Sequence, residues 1–310
     1  MTARPWHGGE LRWNAETEDW TVLAPSRGSR PHSAAGAACP FCPGPAEDTP
    51  PETWRLPGGD VGWRVRAVPN RYALSDRHEI VIESPRHDWD LATGTDGEVA
   101  DVLGAWQHRH RALRPATAQV VVFRNHGLAA GISLAHPHSQ IAGLPVLSAE
   151  TRRELETARV HHRDRGRLLA GEQLEAALSD GKRIVFADDH VVAYTPFAPI
   201  AAYEVRILPH RAGPDFAAAG AEEIRATARC LRTILAALRA ELGDPAYNVV
   251  VRTAPTGYET APFLAWSLQL VPRLETPAGL ELATGVPVTT VSPEHAAARL
   301  RTLVGMADVG

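Results

Sequence analysis

No apolar stretch in this 310-residue chain approaches the roughly 20 residues needed to span a bilayer. The opening segment, MTARPWHGGELRWNAETEDW, turns polar at once and holds no apolar signal core. Export and membrane residence are therefore not expected, and a reducing cytoplasm is the expected setting. Cysteine is scarce, and its three residues do not make a disulfide framework. Charge of neither sign dominates. Lys plus Arg number 32 and Asp plus Glu 36, a formal net charge of −4 that leaves no electrostatic footprint for nucleic acid. What is present is ordinary for a folded soluble chain, 44% hydrophobic and 22% charged. Its length supports a sizeable core in about two domains or two similar halves.

The hydrophobic pattern repeats. Residues 11–25 read as a short hairpin, and 26–51, dense in Pro and Gly, as a loop. Strand patterns follow at 61–68 (VGWRVRAV) and 79–83 (EIVIE). A helix is expected over 96–113, where Val99, Val102, Leu103, Trp106, His110 and Leu113 fall close to one face. QVVVF at 119–123 is a strand that leads into a glycine-containing loop. Residues 148–170 look helical behind Ser148 as N-cap, and a shorter helix is expected within 171–181. Then come a hairpin (183–187 with 191–194), a strand (204–208), a long helix (221–242) with Gly243 after it, and strands at 247–252 and 266–271. A last helix starts near Pro293. The order hairpin, strand, long helix, strand, loop, strand thus occurs twice, over 11–146 and 183–273. That order predicts an α+β fold of two halves with antiparallel sheets.

Two clusters could carry chemistry. In His136-Pro137-His138-Ser139-Gln140, two histidines stand at i and i+2 of an extended segment. One can then serve a metal and the other a substrate. Cys39-Pro40-Phe41-Cys42 is a CxxC pair, and Pro43 and Pro45 block the helix that a redox pair would need downstream. Zinc suits it better but requires two more ligands. Spacing alone does not choose among His32, His78, His87, His126 and His136. His108, His110, His161 and His162 lie on helices and read as surface or packing residues, and Cys230 as an inert small residue.

HPHSQ resembles the active-site motif of the histidine-triad superfamily, in its galactose-1-phosphate uridylyltransferase branch. The resemblance covers nearly the whole chain, with separate motifs in order: WTVLAPSRGSRP, ACPFCPG, VPNRYAL, HEIVIESPRH, FRNHG and the Ser133 stretch. DPAYNVVVRTAPTG and WSLQLVPRLETPAGLELATG are most similar to ADP-glucose phosphorylase-like members. The resemblance implies two tandem histidine-triad-like halves. Residues 1–170 would hold a zinc site and the catalytic motif, and 171–310 would lack the nucleophile. It implies that His138 attacks the α-phosphorus of a nucleotide-sugar, leaving a nucleotidyl-histidine that a second phosphate resolves. Imidazole suits the task, being a neutral nitrogen nucleophile near pH 7. By the same resemblance Gln140 holds a non-bridging phosphate oxygen and Ser133 lies near the incoming phosphate. Arg27 and Arg30 would sit near phosphates, and Asn70 and Asn125 at nucleotide-contacting positions. Ser139 stands where many relatives have glycine, so its hydroxyl is a candidate phosphate donor. Gln269 is a candidate contact to sugar or phosphate. Cys39, Cys42, His87 and His136 match four zinc ligands of a closed structural site, which would tie the N-terminal loop to the catalytic loop. The strand at 265–270 holds no histidine, so neither a second metal nor a second nucleophile is expected. Relatives of this kind form homodimers. The implied substrates are a nucleotide-sugar with either a sugar 1-phosphate or inorganic phosphate. A histidine-triad hydrolase using water, or a zinc-stabilised nucleotide-binding module without turnover, would use the same residues.

Overall fold

The computed structural model describes residues 2–6, 9–25, 28 and 39–307. Strands β1 (Ala3–Trp6), β2 (Gly9–Asn14) and β3 (Asp19–Leu23) form a small antiparallel sheet of their own. The first half of the main sheet is built by β4 (Trp54–Pro57), β5 (Trp63–Pro69), β6 (Arg77–Ile82), β7 (Gln119–His126) and β8 (His138–Leu144), with helix α1 (Asp96–Leu113) between β6 and β7. Helices α2 (Ala149–Arg165) and α3 (Leu169–Asp180) lead to the second half. There β9 (Ile184–Ala187), β10 (Val191–Tyr194) and β11 (Val205–Pro209) precede α4 (Ala221–Leu242), then β12 (Tyr247–Arg252) and β13 (Ser267–Pro272). Short α5 (Gly279–Thr284) and α6 (Pro293–Ala307) close the chain.

The ten main strands are antiparallel in the order β4-β5-β6-β8-β7-β12-β13-β11-β10-β9. Each half is a five-stranded copy of the other, and the two meet where β7 pairs with β12. This is the α+β, antiparallel architecture the pattern predicts. The expected opening hairpin is the exception. Residues 11–25 do pair as a hairpin, β2 with β3, but outside the main sheet. The counterpart of the second half's β9-β10 is β4-β5 instead. β4 escapes the sequence reading because it is four residues ending in proline. The helix expected over 148–170 also divides, because Gly166 takes a left-handed φ of 66° and ends α2.

One face of the sheet carries the main core. Helix α1 starts on a capping box in which the Glu98 amide donates to Thr95 Oγ1 (3.2 Å) and the Thr95 amide to Glu98 Oε2 (2.8 Å). Its buried stripe of Val99, Val102, Leu103 and Trp106 joins Leu231, Ile234 and Leu238 of α4 over Val122, Ile141, Val249 and Leu268 of the strands. The opposite face is treated differently in the two halves. In the second, Leu174 and Ala177 of α3 cover Val192, Tyr194 and Leu208. In the first, the CxxC loop packs Phe41 on Trp63, Val68 and Ile82. That difference leaves room beside β8.

Candidate active site

Strand alternation decides which motif residues meet. On β8, Ser139 and Ile141 point to the helices, and His138 and Gln140 to the other face. Ser139 is fully buried, and its Oγ accepts from the Trp106 indole at 2.6 Å. Its hydroxyl is therefore turned from the cleft that His138 lines. His138 is 4% exposed and borders an opening of about 210 Å³ shared with Asn125, His126, Ile132, Pro137 and Arg239. The cleft exists because β7 ends abruptly. Gly127 has a φ of +78°, and a Cβ there would lie 2.7 Å from the Ala246 Cβ, so only glycine lets the chain turn beside β12.

The His138 ring is oriented by its own loop. Its Nδ1 lies 2.8 Å from the His136 carbonyl oxygen. A carbonyl only accepts, so the ring proton sits on Nδ1 and the Nε2 lone pair is the nucleophilic one. Phe41 packs edge-on against the same ring at 5.6 Å between centroids. Gln140 is oriented as closely. The Leu74 amide donates to His78 Nδ1 at 2.8 Å, which puts that ring's proton on Nε2. His78 Nε2 then donates to Gln140 Oε1 at 3.0 Å, and Asn70 Nδ2 reaches the same oxygen at 3.4 Å. With its oxygen engaged twice, Gln140 keeps its amide N–H groups as donors. Asn125 Oδ1 accepts from Asn248 Nδ2 at 2.8 Å, which fixes its amide in the same sense. Ser133 is buried in the loop before the motif.

Cys39, Cys42, His87 and His136 converge, with their ligand atoms all within 4.8 Å of one another. His136 Nδ1 is 3.6 Å from Cys39 Sγ and 3.5 Å from Cys42 Sγ, and His87 Nδ1 is 3.3 Å from Cys42 Sγ. A tetrahedral ion with metal–sulfur and metal–nitrogen bonds of zinc length separates S from N by about 3.5 Å, so the set has the span of a filled site. The far nitrogen of His136, Nε2, donates to the Ser84 carbonyl at 2.8 Å and leaves Nδ1 facing the sulfurs. Burial holds His136 neutral, down at about 4, and burial with the Cys39 sulfur pushes the Cys42 thiol up to about 11. Neutral imidazole is already the metal-binding form, and a bound cation would bring the thiol down to thiolate. The donor set therefore fits a soft, tetrahedral metal.

Behind the cleft, Arg124 is 2% exposed and joins Glu83 (2.9 Å), Asp90 (2.9 Å) and the Tyr247 hydroxyl (2.7 Å). Burial opposes its charge, but Glu83, Tyr247 and Asp90 outweigh that and keep it cationic. His126 stacks on Tyr247 at 4.7 Å between Asp90 (3.3 Å) and Asp244 (3.1 Å). Burial would raise Asp90, yet His126, Arg124 and the Ala92 amide hold its carboxyl well below the usual range. None of this network is anticipated in the sequence reading. The one available signal was an arginine set into the apolar run QVVVF-R.

The remaining candidates fall elsewhere. Arg27 and Arg30 lie outside the described residues. Gln269, on β13, is three strand steps from β8, about 14 Å across the sheet, and donates to Glu204 rather than bordering the cleft.

Comparison with known proteins gives one account. Residues 76–147 match the family model for the galactose-1-phosphate uridyl transferase N-terminal domain. The chain is 28% identical to the ADP-glucose phosphorylase of Arabidopsis thaliana, covering 94% of this chain and 92% of that protein. It is 26% identical to a galactose-1-phosphate uridylyltransferase of Thermotoga maritima, over 94% and 98%. Among solved structures, a uridylyltransferase superposes with a TM-score of 0.84 at 29% identity, covering 96% of this chain and 98% of that one. An Arabidopsis thaliana ADP-glucose phosphorylase with bound ADP-glucose superposes at 0.78 and 28% identity, covering 95% and 99%. Motif, fold and near full-length relatives agree: residues 76–147 carry a galactose-1-phosphate uridyl transferase N-terminal domain, and over nearly its whole length the chain is similar to galactose-1-phosphate uridylyltransferases and to ADP-glucose phosphorylases.

Proposed function

We propose that the chain is a nucleotidyltransferase that moves a nucleoside monophosphate from a nucleotide-sugar to inorganic phosphate or to a sugar 1-phosphate, through His138. The observation that carries this is the His138 ring itself: Nδ1–H bound to the His136 carbonyl, Nε2 carrying the lone pair, at the edge of a cleft. In the first step Nε2 attacks the α-phosphorus. The P–N bond forms, the P–O bond to the β-phosphate breaks, and sugar 1-phosphate leaves with the electron pair. In the second, an oxygen of the acceptor phosphate attacks the same phosphorus and the P–N bond returns its electrons to the ring. Both displacements use one site, so the kinetics are ping-pong. Phosphoryl transfer of this kind depends mainly on positioning and charge. Gln140 and Asn125 supply fixed amide donors, Ser133 lies in the loop before the nucleophile, and Asn70 and Ser139 act as supports. In this reading Arg27 and Arg30 are the phosphate-side cations.

Zinc in the Cys39, Cys42, His87 and His136 set would supply a structural crosslink. His136 lends its ring to that set and its carbonyl to His138, so the two sites share one residue. Residues 1–170 form the catalytic half and 171–310 a half without nucleophile. Two CxxC thiols reserved for metal suit a reducing compartment, and we place the protein in the cytoplasm as a homodimer. No helix among the described residues is long and apolar enough to cross a membrane.

The test is a panel of UDP- and ADP-sugars followed by initial rates with glucose 1-phosphate, galactose 1-phosphate or inorganic phosphate as acceptor. Transfer to one acceptor with parallel double-reciprocal lines supports the reading. Release of free nucleoside monophosphate as the dominant product, whatever acceptor is present, replaces it with hydrolysis.

A further inference from the structure

The duplicated sheet allows the second half to be compared with the catalytic half residue by residue. Ile80 and Phe123 flank Gln140 across the ladders, and Arg206 and Val250 flank Gln269 in the same way. Counting from these pairs, His138 corresponds to Ser267, Asn125 to Arg252, and His78 to Glu204. The local bonding corresponds as well. Gln269 Nε2 donates to Glu204 Oε1 at 2.8 Å and its Oε1 accepts from Arg252 Nε at 2.9 Å, much as Gln140 is held by His78 and Asn70. Leu268 and Leu270 point to the helices, so Ser267 and Gln269 share the far face.

On that face lies a cavity of about 670 Å³, roofed by α2 and α3 and bordered by Arg183, Arg206, Arg252, Glu204, Tyr194 and Phe263. That volume is within the usual range for a small-molecule site. Its lining is more cationic than the matching positions of the catalytic half. An isoleucine and an asparagine there are arginines here, and Arg153 and Arg183 add two more cations against the carboxylates of Glu154 and Glu204. Arg206 and Arg252 already lean on those carboxylates, at 3.3 and 3.4 Å. Arg183 does not have enough partners. Its residue is 5% exposed, its terminal nitrogens make two long contacts of 3.3–3.4 Å, and its buried Nε has no hydrogen-bond partner among the described residues. A buried guanidinium N–H left unmatched is costly unless a ligand accepts from it.

We propose that this second-half cavity is a binding site for a phosphate ester, held by Arg183, Arg206 and Arg252, with its organic part against Tyr194 and Phe263. Among the described residues no imidazole borders the cavity, and Ser267 stands where the nucleophile would be. The site therefore binds without turning over, and it is distinct from the transfer site beside His138.

Equilibrium dialysis of the full chain against inorganic phosphate, glucose 1-phosphate and AMP tests this. For at least one probe the wild type should bind one equivalent more than Arg206→Gln, or bind that equivalent about tenfold more tightly. Arg252→Gln gives the same test from the neighbouring strand, with far-UV circular dichroism reporting folding. Which probe shows the difference identifies the ligand as free anion, sugar phosphate or nucleotide. The comparison with Arg206→Gln isolates the second-half equivalent whatever occurs at His138, so its failure and failure of the transfer reading are separable. Equal stoichiometry and affinity in wild type and both variants for all three probes overturns the proposal.

Discussion

In the proposed reaction His138 acts through one ring nitrogen because the other is committed to a carbonyl 2.8 Å away. Replacing it with alanine should lower turnover by roughly 10⁴-fold or more, the scale on which loss of a covalent nucleophile acts. Steady-state rates with a saturating donor measure this. His78 makes a subtler prediction. It touches no substrate atom in this account, but it aims Gln140 by donating to Oε1. His78→Ala frees that amide to rotate, and kcat should fall about 10–100-fold with KM little changed. A matched fall in thermal stability with unchanged kcat would make His78 structural only. The sequence pointed directly to His138 and Gln140. It offered His78 only as one of five candidate metal histidines and not as the partner of Gln140, because a partner two strand residues along another element is set by register, not by spacing.

At the scale of elements, the CxxC loop and β8 are joined through His136. Cys39→Ser, or removal of metal with a chelator, should lower melting temperature and activity together, whereas His138→Ala should lower activity alone. Metal content by atomic emission, read beside the melting curve, distinguishes the two. Helix α1 carries a second testable feature. His110 is 1% exposed and packs edge-on to Phe216, and burial, with Arg114 adding to it, holds its imidazole down at about 4 from an ordinary 6.5. The unfolded chain takes up this proton below pH 6.5 while the fold refuses it until about pH 4. Stability is therefore lost as pH falls through that window, by about 3 kcal/mol for this group. Urea unfolding at pH 7 and pH 4 should show His110→Leu losing less than the wild type by about that amount. Elements with strong periodicity, α1 and α4 above all, were legible in the sequence. β4 was not, because four residues give no period, and neither was the separate hairpin sheet. The hairpin's own pattern was read correctly, but nothing local says which sheet a hairpin joins.

Across the whole molecule, the two halves are held by the packing of α1 on α4, by the β7–β12 seam and by Arg124 beneath it, which bonds Glu83 and Asp90 from one half and Tyr247 from the other. Truncating one member of such a buried ionic cluster leaves the others unpaired and costs about 3–5 kcal/mol. Arg124→Ala should lose that much in urea unfolding, and Tyr247→Phe, which removes one hydrogen bond and keeps the ring, about 1 kcal/mol. Equal small losses for both would mean that the halves rest on the strand ladder and the α1–α4 packing without this cluster. The same duplication explains how one chain holds two unlike pockets. A shared register places polar residues at matching positions, and their identities give one pocket a histidine and the other a set of arginines.

The central claim is that His138 becomes covalently bonded, through nitrogen, to the α-phosphorus of a nucleotide. Intact-protein mass spectrometry after brief mixing with nucleotide-sugars, without acceptor, tests it most directly. The account predicts a mass increase of one nucleoside monophosphate that is absent in His138→Ala and discharged from the wild type by added acceptor. An adduct of that mass persisting in His138→Ala, or full turnover by that variant, would contradict it.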